Sequence, residues 1–206
     1  MIKAIQTRYK GYRFRSRLEA RWAVFFDGLS VKWEYEPEGY DLGQAGYYLP
    51  DFFLPGLELW VEIKPRDGSA GKDDEKMVAL VEMTGKRGTI LRGDPWENSD
   101  PDIYGRPGVS DWSGSAIFQK TEDGAGKYDC AYCFCVCPNC LKVGYEFDGR
   151  GARVCGTDCP SKNTPAWAGA GFADHGDKGY SFNHPLIMSA ASKARAARFE
   201  HGEVSS

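Results

Sequence analysis

Residues 47–65 of this chain read YYLPDFFLPGLELWVEIKP, and this stretch decides the fold that the sequence predicts. Two β-rich runs, 47–54 and 57–64, flank the dipeptide Pro55-Gly56, which is typical of a tight turn. Pro65 ends the second run because proline cannot donate a hydrogen bond to a neighbouring strand. The stretch therefore predicts a β-hairpin.

Charged residues interrupt the second strand of this hairpin at two positions that share a face. Side chains alternate along a strand, so Glu62 and Lys64 project together, while Val61 and Ile63 face the opposite way into the core. Asp51 lies on the first strand, and folding at the turn brings it near Glu62. The sequence thus predicts a cluster of two carboxylates and a lysine.

Phosphodiester hydrolysis needs this combination of side chains. Mg²⁺ prefers carboxylate oxygens, which Asp51 and Glu62 would supply. The ion would lower the pKa of a bound water and neutralise the charge that grows on the phosphate. Lys64 would orient the attacking water or stabilise the pentavalent transition state.

The spacing of these residues resembles the signature of the PD-(D/E)XK nucleases: Pro50-Asp51, ten intervening residues, then Glu62-Ile63-Lys64. The resemblance covers about residues 12 to 93 and includes an opening helix with an acidic residue, which Glu19 matches. It implies a restriction-endonuclease-like α+β or α/β core, with a mixed central sheet flanked by helices. Chains of this general look occur in bacteriophage genomes.

The resemblance also implies an activity and a set of site residues. The activity is a DNA endonuclease that uses Mg²⁺ or Mn²⁺ and leaves a 5′-phosphate. The implied catalytic residues are Glu19, Asp51, Glu62 and Lys64, and the implied magnesium ligands are Glu19, Asp51, Glu62 and Ile63. Glu19 has a second interpretation, because with Ser16 it has the spacing of a capping box and would bond back to the Ser16 amide.

Other segments predict elements around the hairpin. A helix begins near Ser16, with apolar residues at helical intervals, and ends near Gly28. The further predicted elements are a strand at 31–36, a helix at 72–83, strands at 88–91 and 116–119, a loop at 93–114 and an Ala-rich helix at 185–200.

The N-terminal arm, residues 1–18, is basic and carries no acidic residue. The whole chain has a formal net charge of -3, so the case for nucleic acid depends on such local charge. The arm predicts DNA contact through Lys10, Arg13, Arg15 and Arg17. The alternative is an N-terminal strand whose aromatic side chains face the core. Lys193, Arg195 and Arg198 of the C-terminal helix could contact DNA phosphates, but the favoured expectation is that the apolar face of this helix packs and its charges are exposed.

The cysteines predict a zinc site apart from the carboxylates. Two close pairs, Cys137 with Cys140 and Cys155 with Cys159, are separated by fourteen residues, a layout that suits one tetrahedral Zn²⁺. Residues 143–147 and 153–154 are expected to pair as a small ribbon. The remaining cysteines, Cys130, Cys133 and Cys135, include a second Cys-x-x-Cys that could replace a member of this set, but they are interpreted as non-ligands, with His175, His184 and His201 as less favoured substitutes.

These interpretations divide the chain into a nuclease domain at 1–125, a zinc ribbon at 126–170, and a polar loop and C-terminal helix at 171–206. No signal peptide or long apolar run is present, which predicts a cytoplasmic protein, in the host cytoplasm if phage-encoded, with no membrane partner. The expected partner is duplex or branched DNA, and a homodimer is left open. The alternative function is a catalytically idle nuclease fold that binds DNA or protein through the zinc ribbon.

Overall fold

A computed structural model describes residues 5–66, 71–95, 116–128, 132–137, 140–147, 154 and 184–199. The described chain opens with two short strands, β1 (Thr7–Tyr9) and β2 (Tyr12–Phe14), which pair antiparallel. Lys10 and Gly11 join them and both have positive φ, the geometry of the two-residue turns that suit a hairpin. Tyr9 and Phe14 are buried, so the alternative interpretation of the N-terminal arm, a strand with rings facing the core, is confirmed for these residues.

Helix α1 (Arg17–Gly28) follows with Ser16 as its N-cap, as predicted. The rest of the described chain forms ten strands and two helices. In chain order these are β3 (Glu34–Tyr35), β4 (Tyr40–Asp41), β5 (Tyr47–Tyr48), β6 (Phe52–Leu54), β7 (Leu59–Lys64), α2 (Lys72–Thr84), β8 (Arg87–Arg92), β9 (Ile117–Thr121), β10 (Gly124–Tyr128), β11 (Tyr132–Val136), β12 (Val143–Phe147) and α3 (Pro185–Ala196).

A mixed six-stranded sheet in the order β10-β9-β8-β7-β6-β3 forms the centre of an α+β fold. Strands β7 and β8 are parallel, with α2 between them in the chain, and the other neighbours are antiparallel. The predicted hairpin is confirmed, because Phe52 pairs with Val61 and Leu54 pairs with Leu59. A single 3₁₀ turn, Pro55–Leu57, connects the two strands.

The structure corrects several predicted strands. The run at 47–54 divides into β5 and β6, which belong to different sheets, and the strand at 31–36 shortens to Glu34–Tyr35. Strand β10 was not predicted, since its sequence GAGKY lacks an apolar alternation, and it passes through residue 125, where the predicted nuclease domain ends. Of the predicted loop at 93–114, the structure describes only residues 93–95, and the rest lies outside the described residues.

Two apolar clusters cover the two faces of the sheet. Val61 and Ile63 of β7 contribute to the first, with α1 and α3. Trp60 of the same strand contributes to the second, with α2. This alternation confirms that Glu62 and Lys64 point away from the face of Val61 and Ile63.

The cysteine-bearing segment joins the first apolar cluster through a hairpin that was not predicted. Strand β12 pairs with β11. Of the ribbon predicted between 143–147 and 153–154, residue 153 lies outside the described residues. Phe134 of β11 lies against Phe25 and Phe26 of α1, with ring centroids 5.4 and 5.8 Å apart. The hydroxyl groups of Tyr145 and Thr89 are 2.9 Å apart, which ties the hairpin to the central sheet.

None of the helices in the described part of the chain combines the length and the apolar character needed to span a membrane.

Candidate active site

Asp51 is the most deeply buried carboxylate of the predicted site, with 2% of its surface exposed. It directly precedes β6, and its Oδ2 atom accepts a hydrogen bond of 2.7 Å from the backbone N–H of Ile63. The antiparallel pairing of β6 with β7 places residues 51 and 62 next to each other beyond the last paired residues, Phe52 and Val61. The two strands thus bring the separated halves of the motif together.

Glu62 and Lys64 form an ion pair on one face of β7. Lys64 Nζ lies 2.8 Å from Glu62 Oε1 and 3.2 Å from Asp73 Oδ1, in the first turn of α2. The other oxygen of Glu62 accepts a hydrogen bond of 3.1 Å from the hydroxyl of Tyr48. Glu62 is 5% exposed, so its charge is almost removed from bulk water. Each of its oxygens is held by a donor from this strand or from β5.

Glu19 lies in the first turn of α1 and is 7% exposed. Its backbone N–H donates to Ser16 Oγ at 3.2 Å, and the Ser16 hydroxyl donates to Glu19 Oε1 at 2.7 Å. The capping interpretation predicted a bond to the Ser16 amide, but Oε2 instead accepts from the Arg15 amide at 3.1 Å and from the Tyr35 hydroxyl at 2.6 Å. Glu19 therefore fastens the start of α1 to β3.

Arg15 was predicted to contact DNA, but its guanidinium reaches into the carboxylate cluster. Its Nη2 atom forms an ion pair with Asp51 Oδ1, and its Nε atom lies 2.7 Å from Glu36 Oε1. Burial alone would lower the pKa of Arg15, but the charges of Asp51 and Glu36 raise it. This arginine is directed toward the buried carboxylates while about half of its side chain stays exposed.

We call Glu19, Asp51 and Glu62 the acidic cluster. Burial, followed by the charges of Glu62 and Glu19, raises the pKa of Asp51 to about 8. The Ile63 N–H and Arg15 both favour the ionised carboxylate, yet burial and the two negative charges outweigh them. The shift therefore reflects the burial of Asp51 first and its two acidic neighbours second.

Lys64 and Tyr48 respond to the same negative charge. Burial alone would lower the pKa of Lys64, but its contacts with Glu62 and Asp73 raise it, so the ammonium stays protonated at neutral pH. Burial and the charge of Glu62 raise the pKa of Tyr48. Tyr48 therefore acts as a neutral hydrogen-bond donor to Glu62, and Lys64 as a fixed positive charge.

The donor chemistry of the acidic cluster fits Mg²⁺, which binds through carboxylate oxygens. Because burial and two acidic neighbours raise the pKa of Asp51, a cation bound beside it would stabilise its ionised form. Arg15 and Lys64 now contact Asp51 and Glu62, so an added ion would have to share or displace these contacts. In the arrangement as it stands, no three His, Cys, Asp or Glu side chains among the described residues meet closely enough to hold a metal ion.

The other basic residues of the N-terminal arm are spread over different surroundings. Lys10 Nζ lies 3.1 Å from Asp27 Oδ2, and Arg13 donates to Gln6 Oε1 on the exposed side of the first hairpin. Arg17 lies on α1, facing α3. The structure does not bring Lys10, Arg13, Arg15 and Arg17 together on one surface.

The first cysteine pair forms a tight turn between β11 and β12. The Cys140 N–H donates to Cys137 Sγ at 3.5 Å, and the Cys137 N–H donates to the Lys142 carbonyl at 2.8 Å. Cys137 is buried and Cys140 is exposed. Cys155 and Cys159 lie outside the described residues, as do Cys130, His175 and His201.

The unassigned residues Cys133 and Cys135 lie on β11, and His184 caps α3. The alternation of the strand puts the two cysteines on the same face as the strand's continuation at Cys137. Burial raises the pKa of the Cys135 thiol, which disfavours the thiolate that binds zinc. His184 Nδ1 accepts a hydrogen bond of 3.2 Å from the Leu186 N–H.

Three participants in the site were not predicted from the sequence. Tyr48 precedes the break between β5 and β6, so strand alternation could not place it, and Asp73 resembles any acidic residue in the first turn of a helix. Arg15 was recognised as basic, but its direction depends on tertiary contacts.

Comparisons of the chain with protein-family models, curated proteins and solved structures find no match.

Proposed function

We propose that this protein is a metal-dependent DNA endonuclease with a restriction-endonuclease-like core. The observation that carries the proposal is the acidic cluster: three carboxylates that are almost fully buried beside a protonated lysine. Burying like charges together costs stability, and such groups concentrate at functional sites. A structural role alone has no need for three carboxyl groups buried in one place.

Asp51 and Glu62 would hold Mg²⁺ or Mn²⁺, with Glu19 as the third carboxylate and Ile63 contributing only a backbone oxygen. The ion, when bound, supplies Lewis-acid stabilisation of the negative charge on a phosphate. The Ile63 N–H and the Tyr48 hydroxyl orient Asp51 and Glu62. The three carboxylates would have to draw closer together to share the ion.

Lys64 acts as a positive charge in this proposal, because its raised pKa leaves no lone pair to accept a proton at neutral pH. A lysine beside the scissile phosphate stabilises the charge that develops in the transition state. Its contacts with Glu62 and Asp73 hold its stem toward the cluster. We assign Lys64 to charge stabilisation rather than to general-base catalysis.

The second candidate is a nuclease fold that binds DNA or protein without cutting it. Two internal ion pairs favour this alternative, because they already neutralise part of the acidic cluster. They join Arg15 to Asp51 and Lys64 to Glu62. The burial of three carboxyl groups around two cationic side chains favours the enzyme, because a bound metal ion would balance the charge of these carboxylates.

Cleavage assays separate the two candidates. Purified protein is incubated with supercoiled plasmid and with a four-way junction, in Mg²⁺, in Mn²⁺ and in EDTA. The enzyme requires metal-dependent cleavage by the wild type that Asp51→Asn and Glu62→Gln both lose and that Glu34→Gln, an exposed carboxylate on the neighbouring strand, keeps. Binding of either DNA without cleavage in any metal supports the idle fold, and equal cleavage by all variants overturns the assignment of the site.

We also propose that Cys137, Cys140, Cys155 and Cys159 hold a structural Zn²⁺ as a zinc ribbon. A backbone N–H directed at a cysteine sulfur, as in Cys140 to Cys137, stabilises the thiolate that zinc needs. Val154, the residue before Cys155, lies against Gly144 so closely that a Cβ there would come within 2.4 Å of its Cγ2. The chain thus returns to β12 just before the second cysteine pair begins.

A further inference from the structure

A groove with a volume of about 440 Å³ runs between the first turns of α1 and the end of α3. Four arginines line it, together with Phe199 and two alanines. We call this cavity the basic groove, after its four arginines Arg17, Arg21, Arg195 and Arg198.

Helix packing explains why residues so distant in the chain meet here. Gly28, at the end of α1, approaches Ala190 so closely that an added Cβ would lie 2.8 Å from the alanine Cβ. Arg17 and Arg21 are four residues apart and share a face of α1. The two helices therefore pack closely at Gly28 and Ala190, and the arginines line the groove at the other end of α1.

Two of the arginines are held by the segment that follows β8. Arg21 Nη1 lies 2.6 Å from Asp94 Oδ2, and Arg195 Nη1 donates to the Pro95 carbonyl at 2.9 Å. These contacts already orient the guanidinium groups. The arginine side chains would therefore lose less conformational entropy when an anion binds. Among the described residues, the lining of the groove contains four arginines and no acidic side chain, which makes this surface positive.

The groove also holds hydrogen-bond donors that its protein neighbours leave unused. The Nε atoms of Arg17 and Arg21 are buried and have no hydrogen-bond partner within the described residues. A buried donor without an acceptor costs stability. Phosphate oxygens accept from guanidinium groups in the fork geometry that arginine presents.

We propose that the basic groove binds the phosphate backbone of nucleic acid. The inference rests on the proposed nuclease function for the identity of the anion. It keeps Arg17 of the N-terminal arm in the contact but excludes Lys10 and Arg15, which are paired with Asp27 and Asp51. Arg17 is two residues from Glu19 on α1, so the groove and the acidic cluster share one end of that helix.

Binding without cleavage tests the groove directly. Anisotropy of a fluorescein-labelled DNA duplex is measured in EDTA over a series of salt concentrations. Removing two phosphate contacts in Arg17→Gln/Arg198→Gln is expected to reduce the slope of log K against log salt by about two and to weaken binding roughly tenfold or more at low salt. The control Lys86→Gln/Lys120→Gln removes two exposed lysines that pair with surface glutamates and is expected to bind as the wild type does.

A second variant guards against a loss of folding. Arg198 is exposed, so Arg198→Glu reverses a charge at the groove without opening the core, and it is expected to reduce the same slope. The arm variant Lys10→Gln/Arg13→Gln tests the rival surface.

The inference is overturned if the groove variants bind DNA as tightly as the wild type, if only the arm variant loses affinity, or if the wild type prefers vesicles of anionic lipid to DNA. If the protein binds DNA through the basic groove but never cleaves it, the proposed nuclease function is refuted and the proposed DNA-binding role of the groove is supported.

Discussion

The backbone N–H of Ile63 donates a hydrogen bond of 2.7 Å to Asp51 Oδ2. Asp51 is thereby fastened to the strand that carries Glu62 and Lys64, and not only to its own strand. An asparagine at position 51 retains a side-chain oxygen that can accept this bond. The substitution Asp51→Asn therefore removes the charge of the carboxylate while preserving its principal backbone contact.

The raised pKa of Asp51 predicts a pH-dependent stability that Asp51→Asn abolishes. The usual pKa is 3.8 and the folded value is about 8, so between these limits the folded protein keeps a proton that the unfolded chain releases. Stability then falls as pH rises through this window, by at most about 1.4 kcal/mol per pH unit, and levels off above it. Urea unfolding in EDTA from pH 4.5 to 8.5 measures the slope.

The expected result is a wild-type curve that descends relative to that of Asp51→Asn as pH increases. Glu34→Gln is the matched control, because it removes an exposed carboxylate from β3, the strand next to β6. Its curve should run parallel to that of the wild type. Parallel curves for Asp51→Asn as well would mean that Asp51 is ionised throughout and that the acidic cluster is better neutralised than proposed.

Replacing Lys64 separates charge stabilisation from metal binding. Lys64→Met keeps the length of the stem but removes the ammonium group near Glu62, so kcat for DNA cleavage is expected to fall about 100- to 1000-fold. Affinity for Mn²⁺ should be retained or increase, because Glu62 loses a competing cation. Single-turnover cleavage and calorimetric titration with Mn²⁺ measure the two effects.

Lys86→Met is the control for Lys64, since Lys86 pairs with the exposed Glu58 on the surface. Its cleavage rate and its Mn²⁺ affinity should match those of the wild type. If Lys64→Met loses Mn²⁺ binding and cleavage together, then Lys64 supports the fold of the site and does not stabilise the transition state.

The sequence predicted the parts of the site that depend on local geometry. The alternation along β7 placed Glu62 and Lys64 on one face, and the turn at Pro55-Gly56 brought Asp51 to the same strand. Both inferences need only the side-chain period of a strand and a short connection. They hold in the structure even though the run at 47–54 does not form a single strand.

Features that depend on the packing of distant elements were not predictable in the same way. Arg15 is one of several basic residues in the arm, and nothing in its neighbours indicates that it turns toward Asp51. The basic groove joins residues 17 and 21 to residues 195 and 198, which meet only because α3 packs on α1. Hydrophobic periodicity identifies the helices but not the end at which their charged side chains converge.

Arg15 is expected to compete with divalent cations for Asp51. Removing its charge in Arg15→Gln leaves Asp51 with a smaller share of positive charge, so Mn²⁺ should bind about tenfold more tightly. Calorimetric titration with Mn²⁺ measures the change. Arg13→Gln is the control, because this arginine belongs to the same arm but contacts Gln6 on the exposed side.

The opposite pattern would restore the sequence-based assignment of Arg15 to DNA. In that case Arg15→Gln would leave the Mn²⁺ affinity unchanged and weaken DNA binding, with a smaller dependence on salt.

Zinc analysis tests the assignment of Cys137 against the neighbouring cysteines of β11. The wild type is expected to contain zinc that Cys137→Ser lacks, because a hydroxyl replaces the thiolate that receives the Cys140 N–H. Losing the ion should also lower the melting temperature by about 10 °C or more, since structural zinc contributes its binding energy to folding. Elemental analysis and thermal unfolding are measured on the same preparations.

Cys133→Ser is the control, because it changes a thiol on the same face of the hairpin and should retain both zinc and stability. Zinc that persists in Cys137→Ser but disappears from Cys133→Ser would move the ligand set toward the first cysteines, and the turn at Cys137 and Cys140 would then be a fold element without a metal.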